Sequence, residues 1–249
     1  MVYIRSFAFL IYFYGWSFVC LVGLSPLLLW GTSAAVYVGF IWSNGIMLGI
    51  RGICNIRYVI RNEKHLPKDK PFIIACKHQS AWETLIFLKL LHSPVFVLKK
   101  ELLKIPVYGT YARKTEMIAV DRKGGASAIK DMVKQVKNRL SQNRPVIIFP
   151  EGTRTPVDKE PTYYSGIAMM YQQIPEDIPI IPAALNSGLF WPKGSFKRPS
   201  GTIVMEYMPP IERGLKKKEF MEKLEHEIET HTDILIQEER SKREANVPS

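Results

Sequence analysis

The stretch Pro71-Phe72-Ile73-Ile74-Ala75-Cys76-Lys77-His78-Gln79-Ser80-Ala81-Trp82-Glu83 changes character at its middle. Its first half is a short apolar run behind a proline, the pattern of a buried strand, and Lys77-His78-Gln79 ends that run with polar side chains. A helix is expected to start at once. Ser80 and Glu83 have the S-x-x-E spacing of a capping box, and Leu85, Ile86, Leu88, Leu90 and Leu91 supply apolar positions after it. His78 is then left at a strand exit, with Glu83 in the first turn of the helix that follows.

Those two residue types can do chemistry together. A neutral imidazole accepts a proton from a hydroxyl, and a carboxylate on its other nitrogen fixes the tautomer and stabilises the imidazolium that forms. A plainer reading stands beside it: a histidine with a structural role, and a glutamate that only caps Ser80.

Two further strands end in similar chemistry. Arg144-Pro145-Val146-Ile147-Ile148-Phe149 runs into Pro150-Glu151-Gly152-Thr153-Arg154, a loop with a flexible glycine, a hydroxyl and a guanidinium. Met117-Ile118-Ala119-Val120-Asp121 runs out at Arg122. A guanidinium matches two phosphate oxygens at once, so strand ends of this kind suit an anion. A solvated turn with a surface ion pair is the alternative.

The rest of the chain after residue 50 alternates two periods. Strand-like runs occur at Ile53–Ile60, Phe72–Cys76, Val95–Leu98, Glu116–Asp121, Val146–Phe149, Ile180–Leu185 and Thr202–Tyr207. A helix beginning near Gly125 carries Ile129, Val133, Val136 and Leu140 on one face, with Lys130, Lys134 and Lys137 turned to water. Lys216 to Arg243 reads as a charged amphipathic helix with Phe220, Leu224, Ile228 and Leu235 as its apolar side, docked on the domain. The expected class is α/β, a mixed sheet flanked by helices, spanning residues 51–249.

Residues 1–50 read as a separate unit. From Ser6 to Ile50 there is no charged residue and no histidine, too long a run for a signal-peptide core. Pro26 and Trp30-Gly31-Thr32-Ser33 divide it into two apolar pieces, each near the length of about 20 residues that spans a bilayer. An apolar helical hairpin is expected. Arg5 and Arg51 flank it, which favours both ends on the cytoplasmic side. Crossing twice and dipping into one leaflet both stay open, and the nonpolar tip around Leu27 to Trp30 favours partial insertion. A buried helical pair of a soluble protein is the competing reading.

With the hairpin neutral, the net charge of +11 belongs to the rest of the chain. Nucleic acid, an anionic bilayer and an anionic substrate could each account for it. No stretch alternates basic and aromatic residues, and no zinc-finger spacing occurs, so nucleic acid is set aside. Basic residues beside an apolar hairpin suit acidic lipid, where each contributes about 1 kcal/mol. The three cysteines, Cys20, Cys54 and Cys76, are odd in number and scattered, against a disulfide framework or a cysteine metal site. Cys76 lies two residues before His78, so a Cys-His acyl-enzyme is a rival to direct transfer, with burial in the strand as the other reading. There is no G-x-S-x-G elbow, P-loop or G-x-G-x-x-G fingerprint.

In order along the chain, His78 with Glu83, Arg122, Glu151-Gly152-Thr153-Arg154 and Ile178-Pro179-Ile180-Ile181-Pro182-Ala183 resemble the four motifs of the lysophosphatidate acyltransferase family, the 1-acylglycerol-3-phosphate O-acyltransferases. Lys99-Lys100-Glu101-Leu102-Leu103 to Gly109 and Asn186-Ser187-Gly188 look like its bacterial members, and the resemblance runs from about Arg57 to Met208. Two positions depart from the pattern: Glu83 stands where aspartate is common, and Glu116 where glycine is frequent.

The resemblance implies direct transfer of an acyl group from a thioester to the sn-2 hydroxyl of lysophosphatidate, giving phosphatidate. His78 would be the base, Glu83 its orienting partner, and Arg122 and Arg154 the phosphate ligands, with Lys99 and Lys100 as weaker candidates. Gly152 belongs to the same substrate-binding loop, where Glu151 and Thr153 either bond the glycerol or shape the loop. The donor is an acyl-carrier-protein or coenzyme A thioester, and no metal or cofactor is required. Anionic membrane lipids are the expected partners, and the expected place is the cytoplasmic face of a bacterial inner membrane. Another acceptor, such as glycerol phosphate or a different lysolipid, and a noncatalytic lipid-binding anchor are the alternatives.

Overall fold

The computed structural model of the chain describes residues 1–121 and 124–245. Its strands are β1 Ile56–Arg61, β2 Ile73–Cys76, β3 Val95–Lys99, β4 Ile118–Val120, β5 Val146–Ile148, β6 Ile180–Leu185 and β7 Gly201–Tyr207. Its α-helices are α1 Val2–Phe18, α2 Thr32–Cys54, α3 Trp82–Leu90, α4 Tyr108–Lys114, α5 Gly125–Ser141, α6 Gly166–Gln173 and α7 Lys217–Ala245. The strands form one seven-stranded sheet in the order β1-β7-β6-β2-β5-β3-β4. Neighbours pair in parallel except β6 with β7, so the sheet is mixed.

Apolar side chains alternate between two cores. Ile73, Ala75, Val146, Ile148, Ile180 and Ala184 pack into one core with residues of α5, α6 and α7. Ile74, Cys76, Ile147, Ile181, Ala183 and Leu185 enter the other with residues of α1, α2 and α3. Neither face is wet, which is why these strands read as unbroken apolar runs. Cutting a buried isoleucine such as Ile147 to alanine at the centre would cost about 2–5 kcal/mol.

Two strand boundaries differ from expectation by more than one residue. The first strand was expected from Ile53, but α2 continues through Cys54, past residue 50, and ends where Asn55 takes a left-handed φ of 53°. That is a helix-ending position asparagine tolerates. The fourth strand starts at Ile118, not Glu116, because Glu116 has a φ of 57° and cannot extend the ladder. Its carboxylate is held by Arg144 at 2.9 Å and Arg139 at 3.5 Å. A left-handed φ is one that glycine adopts without strain, which suits the glycine frequent at this position; here Glu116 adopts it with its carboxylate held by two arginines. The tail helix forms as expected, with Phe220, Leu224, Ile228 and Leu235 fully buried against the domain.

The two N-terminal helices form a hairpin whose turn is a π-helical stretch at Val19–Gly23 and a 3-10 stretch at Ser25–Trp30. Close approach is set by Gly45 and Gly49: a Cβ at either would collide with the Trp16 or Tyr12 ring of α1. The aromatic polar groups are satisfied across the same interface. Tyr12 Oη donates to Gly45 O at 2.8 Å, Trp16 Nε1 to Trp42 O at 3.0 Å, and Trp42 Nε1 to Ser17 Oγ at 2.9 Å. The hairpin is fastened to the domain by Phe9 and Phe13, which meet Trp191 edge-on at 5.3 and 5.9 Å. Ser6 Oγ also accepts the Arg198 N–H at 2.9 Å. Ile4, Phe7, Ile11, Tyr14 and Phe18 are left exposed along α1.

Candidate active site

Sheet register brings the sequence blocks together. Ala75 of β2 stands opposite Ile148 of β5, and His78 and Glu151 each come three positions later. Parallel neighbours run out at the same edge, so the two loops meet. The His78 N–H donates to Glu151 Oε1 at 2.7 Å, and the Thr155 N–H donates to His78 O at 2.8 Å. The loop after β5 therefore grips both sides of the His78 backbone.

The imidazole is held separately. Its Nδ1 lies 2.9 Å from Glu83 Oε1, and its ring stacks on Phe149 with centroids 3.9 Å apart. Glu83 Oε1 also accepts the N–H groups of Gln79 at 2.7 Å and Ser80 at 2.6 Å. Oε2 takes the hydroxyls of Ser80 and Ser187, each at 2.9 Å. Glu83 is fully buried, and it holds both Ser80, just ahead of the α3 N-cap Ala81, and His78, so its bonds to Ser80 and to the imidazole are compatible. Burial pushes the Glu83 carboxyl up, but the hydrogen bond and charge of His78, with the Ser80 N–H, outweigh it and hold it below the ordinary carboxylate range. An ionised Glu83 only accepts, so Nδ1 carries the hydrogen, and in a neutral imidazole so held the lone pair is on Nε2.

His78 opens on a cavity of about 740 Å³. Its walls are mostly apolar: Leu85, Leu88 and Phe96 from the domain, Leu102 and Ile105 from the segment after β3, and Ala35, Gly39 and Trp42 from α2. Arg154 lines the same cavity, so His78 and this arginine border one space bounded by the hairpin. Thr153 Oγ1 and Arg154 O accept from Lys193 Nζ at 3.3 and 3.2 Å. Gly152 has a φ of 64°, a left-handed turn that suits glycine, and faces a smaller cavity of about 210 Å³ with Asp121 and Gly125.

The other expected site residues are placed differently. Glu151 is buried and lines neither of these cavities; it faces the His78 backbone and Lys77. Lys99 and Lys100 are exposed, paired with Glu101 at 3.2 Å and Asp121 at 3.7 Å, and line neither cavity. Arg122 lies outside the described residues. Cys76 is fully buried, and its Sγ donates to Lys77 O at 3.2 Å. Burial, then Glu83 and Glu151, hold its thiol well above the ordinary range, which opposes the thiolate a Cys-His acyl-enzyme needs.

Several contributors were not singled out from the sequence. Ser187 reaches Glu83 from the end of β6, and the Asn186-Ser187-Gly188 run that contains it was visible only as a likeness. Gln79 is fixed by accepting the Gly188 N–H at 2.9 Å. Lys77 and Lys193 carried no signal beyond their charge.

A family model described as "Acyltransferase" matches residues 57–186. The chain is 38% identical over 162 residues to a 1-acyl-sn-glycerol-3-phosphate acyltransferase of Pseudomonas aeruginosa, covering 65% of this chain and 62% of that relative. It is 27% identical over 168 residues to the human 1-acyl-sn-glycerol-3-phosphate acyltransferase alpha, covering 67% and 59%. The chain thus spans about three fifths of the length of these curated relatives. Its fold matches the crystal structure of the 1-acyl-sn-glycerophosphate (LPA) acyltransferase PlsC from Thermotoga maritima with a TM-score of 0.71 at 21% identity, over 94% of this chain and 98% of that one. With the family model matching over half its length, the chain belongs to the acyltransferase family.

Proposed function

We propose that the chain transfers an acyl group from a thioester to the free sn-2 hydroxyl of 1-acylglycerol-3-phosphate, forming phosphatidate. The observation that carries this reading is the His78–Glu83 pair opening on an apolar cavity that also presents Arg154. The names of the relatives in Pseudomonas and human point to the same reaction.

His78 Nε2 takes the hydroxyl proton as that oxygen attacks the thioester carbonyl, and the new C–O bond forms. Collapse of the tetrahedral intermediate breaks the C–S bond. The thiolate leaves with the proton from the imidazolium, which restores neutral His78. Glu83 keeps the hydrogen on Nδ1 and stabilises the imidazolium between the two transfers. Arg154 and Arg122 hold the phosphate. Lys99 and Lys100, paired elsewhere, are left out of the acceptor site. Glu151 shapes the loop by holding His78, and Thr153 sits beside Arg154. The apolar cavity receives acyl chain.

The setting is a membrane surface. Two N-terminal helices are long and apolar enough to cross a bilayer, and α1 turns an unbroken apolar face outward. That face enters lipid, and the basic domain lies against anionic headgroups on the cytoplasmic side of a bacterial inner membrane. Acyl carrier protein or coenzyme A delivers the acyl group. Purified full-length chain, supplied with either thioester, should form phosphatidate from lysophosphatidate and leave monoacylglycerol, which lacks the phosphate, almost untouched. Equal use of the two acceptors would remove the assigned substrate class.

A further inference from the structure

Beneath His78, on the side away from the cavity, lies an ionic cluster that the proposed chemistry does not use. The Lys77 side chain is 4% exposed, and its Nζ stands 2.8 Å from both carboxylate oxygens of Glu229 on α7. The same ammonium lies 3.3 Å from Glu151 Oε2, and Glu151 Oε1 accepts the His78 N–H. Tyr163 Oη donates to Glu229 Oε1 at 2.7 Å. The contacts form a continuous path: Tyr163, Glu229, Lys77, Glu151, His78.

Such a cluster is a poor way to add stability. Desolvating an ammonium and a carboxylate costs more than a well-packed apolar pair of the same size, so a buried ion pair calls for another reason to be there. Its geometry supplies one. Burial pushes the Glu151 carboxyl up, and Lys77, followed by the Thr155 hydroxyl and the His78 N–H, pulls it back toward the ionised form. An ionised carboxylate accepts the His78 N–H about twice as strongly as a neutral group. Lys77 thus decides how firmly the His78 backbone is held, and Glu229 decides where Lys77 points.

We propose that Lys77 and Glu229 are positioning residues for His78, with α7 reaching under the sheet edge to fix the base through Glu151. This inference rests on His78 acting as the base of acyl transfer. It assigns the C-terminal helix a part in turnover without any contact to substrate. The path predicts that its members act in series, so their losses overlap when combined.

The test uses full-length protein in vesicles and reads kcat and KM for both substrates, with thermal unfolding alongside. Glu229→Gln keeps the side-chain shape and removes the charge; kcat should fall about tenfold, with both KM values within about twofold of wild type. Tyr163→Phe should lower kcat by a smaller factor. Lys77→Met should be the most severe, and adding Glu229→Gln to it should change little. Wild-type kcat in Glu229→Gln, or a further tenfold loss when it is added to Lys77→Met, would overturn the inference. His78→Ala is measured in the same series: if it is inactive while Glu229→Gln is fully active, the positioning path fails and the base stands. If His78→Ala itself turns over normally, it is the proposed chemistry that fails.

Discussion

Glu83 Oε1 accepts a hydrogen bond from His78 Nδ1 at 2.9 Å, and the whole carboxylate is closed off from solvent. Five hydrogen bonds converge on it, from His78, the N–H groups of Gln79 and Ser80, and the hydroxyls of Ser80 and Ser187. A buried charge this fully satisfied is rigid, and it orients the imidazole without a contribution from substrate.

The first expectation concerns acid. A carboxyl held below its ordinary range contributes stability that is present above the unfolded value, roughly pH 4.3, and is lost as pH falls through the lower folded value. The stability gap between wild type and Glu83→Gln should therefore be widest near neutrality and narrow below that point. Glu151 has the opposite sign, because burial raises it: keeping it ionised costs stability, so Glu151→Gln should fare relatively better as pH rises. Chemical denaturation across pH 3 to 8 checks both slopes. A gap for Glu83→Gln that does not change with pH would contradict the assignment.

Arg154 shares the cavity with His78, and its planar fork can hold two phosphate oxygens where lysine offers one point charge. Arg154→Lys should raise the acceptor KM several-fold and leave the donor KM nearly unchanged. Equal losses on lysophosphatidate and monoacylglycerol would make the arginine structural.

Much of the fold can be read from residues alone, and for a reason. All seven strand runs occur where the sequence places apolar blocks; in the central strands β2, β5 and β6 burial on both faces leaves no polar alternation, while edge strand β1 alternates buried and open positions. The helix from Gly125 shows its face through Val133, Val136 and Leu140, which are buried as their spacing requires. Sheet order is different. Nothing in Val146-Ile147-Ile148 states that this strand lies beside Ile73-Ile74-Ala75, so the meeting of His78 with Glu151 depends on a pairing made across the whole segment that carries α3, β3, α4, β4 and α5. Lys77 met Glu229 for the same reason: 152 residues separate them. The end of α2 at Asn55 has only a weak sequence signal, an asparagine that tolerates a left-handed cap, and the apolar residues on either side of it hide the boundary.

Cys76 provides a check on the route of transfer. It is packed in the core under α3 and its thiol is held neutral, so Cys76→Ala should keep nearly full turnover and lose about 1 kcal/mol of stability for the small cavity left. An acyl group trapped on Cys76 by mass spectrometry, with activity lost in the alanine variant, would replace direct transfer by an acyl-enzyme.

The hairpin interface is equally specific. Gly45 and Gly49 admit the Trp16 and Tyr12 rings, and a leucine at either position has no space without moving α1. Gly45→Leu should cost about 1–3 kcal/mol by thermal unfolding in detergent and reshape the cavity wall that α2 forms. Unchanged stability would mean that the two helices are not held as described.

The most direct test of the central claim is steady-state turnover of His78→Ala with lysophosphatidate and a thioester donor, at matched folded concentration. The expected result is a fall in kcat of about 100-fold or more, with little change in either KM, since general base catalysis commonly supplies that much. Turnover near that of wild type would contradict the assignment of His78 as the base.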